Sequence, residues 1–403
     1  MKKNILKNVT LSLIFTFAVS SVFAVDFGAT IDNSSKLYTN DFSSCSLDQT
    51  DSVLTWTKIN FLNSGTTYLA LEGLFSYEYT NSVLGSEDAD KLNDFILDLT
   101  LFKFFHTLKL NSRNTLSFSA GRFFISDSTS TILLQNADGL LTKYENPHAK
   151  LSLYCGYTGL LNAKSITMLN SSDVTFSYDS SLVYDWNTSY LVASLSGGLP
   201  FILFNQSISL EVLSLTGLPG PYTLNTENTT TIGDNRFYAT LFVNGPLSTE
   251  IFYTFSSTFS TYNFTEVANL SKAKVDFYFP FMNGAASINA VYASGENGFL
   301  TSFKGITSNT ASYSYDEPEY SGLLKAGASA SIKPVSNILV TLGSDAVFLC
   351  PENTFSYGGF EVYANASYQI FTDLNLFLNA YYYKSSDSTT DNAGATLKVA
   401  VAL

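Results

Sequence analysis

The chain ends with the stretch Asn392 to Leu403, which reads NAGATLKVAVAL. In an extended strand, successive side chains point to opposite faces. One face of this stretch is therefore apolar up to the last residue, and it consists of Ala395, Leu397, Val399, Val401 and Leu403. A water-soluble sheet buries such a face against a second layer, whereas a closed membrane barrel turns it toward lipid.

The same alternation recurs along most of the chain. In the segment Ala273–Phe281, every second residue is apolar, and the charged residues Lys272, Lys274 and Asp276 fall on the opposite face. A charge at the midplane of a membrane costs about 2–4 kcal/mol. Energy as well as pattern therefore assigns the apolar face to lipid and the charged face to the interior of a barrel.

Composition favours a membrane barrel over a soluble domain. Charged residues make up 14% of the chain and aromatic residues 15%, whereas charged residues usually make up about 25%. After Ala24, no apolar run approaches the ~20 residues that a membrane helix needs. The net charge of −13 disfavours nucleic acid as a partner.

The N-terminus is predicted to be a cleaved signal peptide, residues 1–24. Lys2, Lys3 and Lys7 precede a mostly apolar stretch, and Val22-Phe23-Ala24 provides a cleavage site. The alternative is an uncleaved membrane anchor, although several Ser and Thr residues interrupt the apolar stretch. Residues 25–403 are then predicted to form one β-barrel domain.

Polar breaks between the predicted strands alternate between short and long. Short breaks such as Asn111–Asn114 and Thr372-Asp373 interleave with long ones such as Ser34–Asp51, Ser126–Pro147 and Asn297–Pro318. Membrane barrels have short turns at one end and longer loops at the other. We therefore predict an all-β, antiparallel, up-and-down transmembrane barrel of about 18 strands, with 16 as the next choice. The least distinct strands are Val25–Asn33 and Lys164–Phe176.

The apolar alternation up to Leu403 resembles the terminal insertion signal of Gram-negative outer-membrane β-barrels, a family whose chains usually end in Phe. The whole pattern resembles uncharacterised porin-like barrels of spirochaetes and related bacteria. This resemblance implies an outer-membrane channel for passive diffusion of small hydrophilic solutes. It also implies contact with outer-membrane lipid, assembly by the barrel-assembly machinery through the C-terminal strand, and a possible homo-oligomer.

Alternation also predicts which charged residues line the pore. These residues carry both positive and negative charges. One expectation is an electric field across the lumen, and the other is that the charges pair with one another and only stabilise the wall. The predicted pore-lining residues are Lys58, Glu72, Asp94, Asp98, Arg236, Lys272, Lys274, Asp276, Lys325, Glu361 and Lys398.

The segment Ala120–Tyr144 is predicted to be a constriction loop, and it resembles the inward-folded third loop of porins. Arg122, Asp138 and Lys143 are its candidate functional residues. Arg122 is in phase with lipid-facing residues, so we expect either a bulge at Gly121 that turns it inward or a side chain that reaches the headgroups. An ordinary outer loop is the alternative.

Catalysis, a metal site and a cofactor have no support in the sequence. The chain has two histidines, neither with a Ser or carboxylate partner nearby, so an enzyme is not expected. Cys45 and Cys350 fall in predicted outer loops, where they form either a disulfide or two free thiols. The alternatives to a channel are a surface adhesin or receptor barrel with a loop-plugged lumen, and a secreted β-sandwich.

Overall fold

The computed structural model describes residues 24–40, 42, 44–61, 66–84, 93–158, 190–217, 235–307, 319–352, 354–386 and 391–403. Over these residues, no helix is both long enough and apolar enough to cross a bilayer. The only helices among them are two single 3-10 turns, at Leu203–Asn205 and Phe281–Asn283. The strands are β1 (Ala24–Asn40), β2 (Ser44–Asn60), β3 (Thr67–Leu84), β4 (Asn93–Lys109), β5 (Thr115–Ser126), β6 (Leu134–Glu145), β7 (Lys150–Tyr157), β8 (Tyr190–Leu199), β9 (Ser207–Gly217), β10 (Asn235–Pro246), β11 (Ile251–Tyr262), β12 (Glu266–Phe279), β13 (Gly284–Ala293), β14 (Leu323–Val335), β15 (Ile338–Leu349), β16 (Ser356–Phe371), β17 (Leu374–Ser385) and β18 (Asn392–Ala402).

These strands form one closed antiparallel barrel. Each strand pairs with its neighbours in the chain, and β1 pairs with β18 to complete the circle. At this seam, the backbone N–H groups of Ala29 and Leu403 each donate to the other's carbonyl oxygen, at 3.2 and 2.8 Å. The predicted 18-stranded, up-and-down antiparallel barrel is confirmed, and 16 strands is excluded.

The register keeps apolar residues on one face all the way around. Ile31 of β1 pairs with Val401 of β18 on one side and with Val53 of β2 on the other. Large side chains on this outward face, such as Phe95, Leu153 and Ile288, are exposed. Exposed apolar side chains all around the outside of a closed barrel are what the lipid-facing surface of a membrane barrel requires.

One prediction for this region was wrong, because the predicted constriction loop contains β6. The predicted strand Lys164–Phe176 lies outside the described residues. The Asp138-Gly139 pair reads as a turn, but Gly139 lies inside β6, where a Cβ atom would come 2.4 Å from the Cys155 carbonyl oxygen. Glycine is needed there for close approach of two strands and not for a turn.

The predicted loop Ser34–Asp51 was also wrong, because β1 continues to Asn40 and β2 begins at Ser44. Its polar side chains hydrogen-bond across the two strands, from Asn33 to Asp51 and from Ser35 to Gln49, each at 2.5 Å. These pairs stabilise a hairpin that lacks an apolar alternation. Cys45 therefore lies in a strand.

All three cysteines are free thiols. The disulfide between Cys45 and Cys350 that the sequence left open is therefore not formed, and the alternative of two free thiols holds. Cys350 follows β15, and burial raises the pKa of its thiol. A thiol with a raised pKa carries less thiolate and is less reactive toward oxidants.

The core of the protein lies inside the barrel, on the side formed by β5 to β15. It is an apolar cluster contributed by the inner face of the wall and by the connections β5–β6 and β13–β14. Its most buried side chains include Ile132, Tyr190, Leu213, Leu215, Tyr238, Leu270, Phe303, Ile306 and Leu323. Part of the lumen is therefore filled by protein.

Candidate functional site: the lumen and its inward-folded segments

Strand register places all eleven predicted pore-lining residues on the inner face of the barrel. In β12, for example, Ala273 and Val275 pair with the outward Phe255 and Tyr253, so Lys272 and Lys274 point inward. Sequence alternation alone was enough to assign these faces. Several of these side chains form ion pairs or hydrogen bonds inside the barrel.

Ion pairs along the wall involve many of these charges. Lys398 lies 3.4 Å from Asp32, and Lys274 lies 2.8 Å from Asp276. Lys325 bridges two buried carboxylates, with its Nζ 3.2 Å from Asp345 and 3.5 Å from Glu361. These ion pairs stabilise the wall, and paired charges can also set a field across the lumen, so both expectations for the inner charges remain predictions.

The connection between β5 and β6 folds into the lumen. We call residues 127–133 the Asp127 loop, because one carboxylate organises it. Asp127 Oδ1 accepts hydrogen bonds from the backbone N–H groups of Thr131, Ile132 and Leu133 at 3.0, 2.8 and 2.9 Å. Asp127 Oδ2 accepts one from the N–H of Thr129 at 2.8 Å. Charge-assisted hydrogen bonds of this kind are about twice as strong as neutral ones, so the loop has a defined shape.

A second inward segment, residues 294–307, follows β13. The Arg236 guanidinium donates to the Gly305 carbonyl oxygen at 2.6 Å, and the Tyr238 hydroxyl donates to the Lys304 carbonyl oxygen at 2.9 Å. Phe303 packs edge-on against the Tyr238 ring, with centroids 6.2 Å apart. The segment is thus attached to β10, which lies several strands away around the wall.

The Asp127 loop and the 294–307 segment contact each other in the lumen. The N–H groups of Ile306 and Thr307 donate to the Ile132 carbonyl oxygen at 2.7 and 3.1 Å. The Thr307 hydroxyl donates to Gln135 at 3.1 Å and accepts from the Leu134 N–H at 3.1 Å. The two segments therefore meet inside the barrel.

Wall charges hold the Asp127 loop in place. Glu211 on β9 accepts a hydrogen bond from the Ser128 N–H at 2.6 Å, and Lys272 on β12 donates to the Thr131 hydroxyl. Lys272 and Arg236 were predicted to line the pore. They do lie on the inner face, but their charged ends are engaged with the inward segments. Contacts this distant in the chain leave no local signal in the sequence.

The predicted constriction residues Arg122 and Asp138 lie in the wall and not in a loop. Arg122 Nε and Nη2 donate to the two carboxylate oxygens of Asp138 at 3.0 and 2.7 Å, and Nη1 lies 3.8 Å from Asp98. Register places Arg122 and Asp138 on the same face as the outward Ala120 and Leu140. The Arg122 side chain is nevertheless only 3% exposed.

Arg122 is buried because the ladder between β4 and β5 ends at the pair Phe102–Arg122. The guanidinium lies where the β4–β5 ladder ends, with its Nη1 3.5 Å from the Leu99 carbonyl oxygen. Gly121 has a φ of 110°, which glycine adopts readily. The expected reach to the headgroups is wrong, because the Arg122 side chain is buried. The expected inward turn at Gly121 stays a prediction, and it agrees with the ion pair to Asp98, which lies on the inner face.

Lys143 lies on the inner face of β6, beside a lumen cavity of about 640 Å³. The cavity is bounded by the inner faces of β5 to β9 and by the Asp127 loop, and it carries charges of both signs: Lys143, Lys150, Asp127, Glu145 and Glu211. The sequence prediction missed Glu145 because it assigned residues 126–147 to a loop, and it did not include Lys150 among the pore-lining residues. Their alternation within β6 and β7 was the signal that could have placed them.

No group of His, Cys, Asp or Glu side chains suited to a metal ion occurs in the ranges that the structure covers. The sequence led to no cofactor either. The lumen therefore offers charges, hydroxyl and amide groups, and aromatic rings as its chemistry.

No protein-family model and no curated protein sequence matches the chain. Solved structures do match along almost its whole length. OccK7 (OpdD) of Pseudomonas aeruginosa has a TM-score of 0.60 at 12% identity, covering 94% of this chain and 99% of that one. A BenF-like porin from Pseudomonas fluorescens Pf-5 has a TM-score of 0.58 at 12% identity, and the match covers 94% of this chain and 98% of the porin. OpdK of P. aeruginosa with vanillate has a TM-score of 0.58 at 11% identity, and the match covers 94% of this chain and 98% of OpdK. This chain therefore has the fold of these outer-membrane porins.

Proposed function

We propose that this protein is an outer-membrane channel through which small hydrophilic solutes diffuse passively. The observation that carries the proposal is the closed barrel with an apolar outward face and a charged inner face around a cavity of about 640 Å³. A closed barrel leaves no unpaired edge in lipid. The fold it shares with porins supports the same function.

In this proposal the eleven inner-face charges predicted from the sequence, with Lys143 and the cavity charges, set the field along the solute path. The Asp127 loop and the 294–307 segment set its width. Pore diameter, hydrogen-bonding groups and electrostatic barriers decide which solutes pass through a channel. A polar solute would exchange water for Ser, Thr and Asn side chains at little cost.

The test is single-channel recording of the refolded protein in a planar bilayer under a salt gradient. We expect discrete conductance steps and a reversal potential of the sign that indicates cation preference. Carboxylates prevail on the inner faces of β1 to β4, where Asp26, Glu72, Glu78 and Asp94 are among them. Silence from protein whose barrel is intact by heat-modified gel mobility would contradict the proposal.

One observation favours a second candidate, a surface adhesin or receptor with a plugged lumen. The apolar cluster and the two inward segments occupy part of the interior, and Ile132, Phe303 and Ile306 have no exposed surface. Recording from a variant that lacks residues 297–318 separates the two functions. A silent wild-type protein together with a conducting variant would indicate a plug, whereas conduction by both supports the channel.

We further propose an outer-membrane location, assembly by the barrel-assembly machinery through β18, and a homo-oligomer. The likeness to spirochaete-type barrels also remains a proposal. It rests on the strand pattern. Outer-membrane lipid would contact the outward apolar face, and the small polar solutes would contact only the inner one.

Cleavage of the signal peptide gives a further prediction. Residues 1–23 lie outside the described residues, and β1 begins at Ala24, the last residue assigned to the signal. We expect the protein purified from outer membranes to begin at Val25, because Ala24 supplies the small residue at the cleavage site. Intact-mass measurement checks this, and a mass that includes residues 1–24 would show an uncleaved anchor.

A further inference from the structure

Trp56 is a large aromatic side chain that faces the lumen and remains exposed. It lies on the inner face of β2, where it pairs with Gly28 of β1 on one side and Glu72 of β3 on the other. Its relative exposure is 38%. By contrast, Tyr381, an inner-face ring opposite Gly394, is only 6% exposed. Trp56 therefore presents apolar surface to the lumen.

The indole ring lies against the backbone of Gly28. A Cβ atom at this glycine would come within 2.7 Å of Cζ2 and 2.8 Å of Cε2 of the indole. Any other residue would therefore push the ring away from the wall. Because the backbone of Gly28 supports one side of the ring, the exposed part forms a fixed surface beside the lumen.

Hydrogen-bonding groups lie on the same inner face as this ring. Glu72, which pairs with Trp56, is held by a hydrogen bond from the Thr100 hydroxyl at 2.6 Å. Lys58 follows two residues after Trp56, pairs with Asp26 and lies over the Tyr68 ring at 4.6 Å. Two carboxylates and one ammonium group are thus cross-strand or near neighbours of the indole on the inner face.

We infer that Trp56 is a stacking platform for the ring of a neutral sugar, so that the solutes of this channel include pyranosides. This inference rests on the proposed channel function and specifies its solute class. The C–H groups on one face of a pyranose ring carry slight positive charge and complement the negative face of an aromatic ring. Its hydroxyl groups, at the ring edge, need both donors and acceptors, as pockets for polar ligands provide.

Charge separates a sugar from the other class of flat solute, an aromatic carboxylate. Such an anion could also stack on the indole, but the two carboxylates Glu72 and Asp26 outnumber the one ammonium group, Lys58, on this part of the inner face. Like charges disfavour each other in a confined site. A neutral polyhydroxylated ring gains hydrogen bonds from the same carboxylates.

The experiment measures block of the ionic current by maltotriose, with mannitol as an acyclic polyol and benzoate as an aromatic anion. We expect maltotriose to interrupt the current and the other two solutes to have little effect. Trp56→Ala should raise the half-blocking concentration about tenfold or more, given that one aromatic stacking contact contributes ~1–3 kcal/mol. Phe377→Ala is the matched control, since Phe377 is also an inner-face ring, 43% exposed, and it should leave the block unchanged.

A second readout does not require conduction. In a Trp186→Phe background, Trp56 is the remaining tryptophan, and maltotriose should change its fluorescence in detergent. Gly28→Val keeps the tryptophan but displaces it, and it should abolish both effects while heat-modified mobility stays normal. Conduction without either sugar effect, or benzoate acting in place of maltotriose, would overturn the inference and leave the channel standing. Absence of conduction with the fluorescence change retained would overturn the channel alone.

Discussion

Replacing residues 128–132 of the Asp127 loop with two glycines is expected to raise the single-channel conductance severalfold. The backbone N–H of Asp127 already donates to the Leu133 carbonyl oxygen at 3.1 Å, so two residues can close a tight hairpin at this position. The shortened connection no longer reaches Glu211 or Lys272, and it takes Ile132 away from the 294–307 segment. The lumen widens where protein now crosses it, and conductance follows pore diameter.

A graded variant distinguishes this effect from general damage. Lys272→Met removes the hydrogen bond to the Thr131 hydroxyl but leaves the loop its Asp127 contacts and its contact with Glu211. We expect conductance between that of the wild type and that of the shortened variant, with longer-lived current fluctuations. Equal conductance in all three proteins would mean that the Asp127 loop does not limit the path.

Arg122→Met is expected to destabilise the barrel by about 3–5 kcal/mol, because it leaves a buried charge without its partner. Arg122 and Asp98 are 3% and 6% exposed, and Asp138 is 19% exposed. Without the guanidinium, the carboxylates of Asp98 and Asp138 remain uncompensated at the point where the β4–β5 ladder ends. The measurement is the urea concentration at the midpoint of unfolding of the protein in lipid vesicles, with gel mobility as the readout.

Two further variants test the cause of this loss. Lys274→Met breaks a pair of which the lysine side chain is 50% exposed, and an exposed pair contributes about 0–1 kcal/mol. Asp98→Asn and Asp138→Asn added to Arg122→Met remove the uncompensated charges and should restore much of the stability. If the triple variant were as unstable as Arg122→Met, loss of packing and not of charge would explain the result.

The sequence allowed the architecture to be predicted because the membrane enforces it residue by residue. Lipid excludes charge from every outward position, so the alternation in Ala273–Phe281 and in the last strand revealed both faces and the strand direction. This constraint fails outside hydrocarbon. The hairpin of β1 and β2 beyond Asn33 is held by pairs such as Ser35–Gln49 and has no apolar face to detect.

The inward-folded segments were harder to predict because their contacts join distant parts of the chain. Asp127, which organises the loop between β5 and β6, looked like one of many acidic loop residues. The four backbone N–H groups that donate to its carboxylate belong to residues that have no distinctive pattern. Arg122 broke the alternation rule for a reason visible only in three dimensions, where two carboxylates meet it at an interrupted ladder.

The seam between β1 and β18 has a consequence for the timing of assembly. It joins residues such as Thr30 and Ala402, which are nearly as far apart in sequence as the described chain allows. The entropic cost of bringing chain ends together grows only slowly with length, roughly as (3/2)RT ln n, but the search it requires is slow. We therefore expect closure to come last in assembly. A barrel in which β1 has not yet paired with β18 presents two open strand edges, which proteases or the edge of another copy can engage.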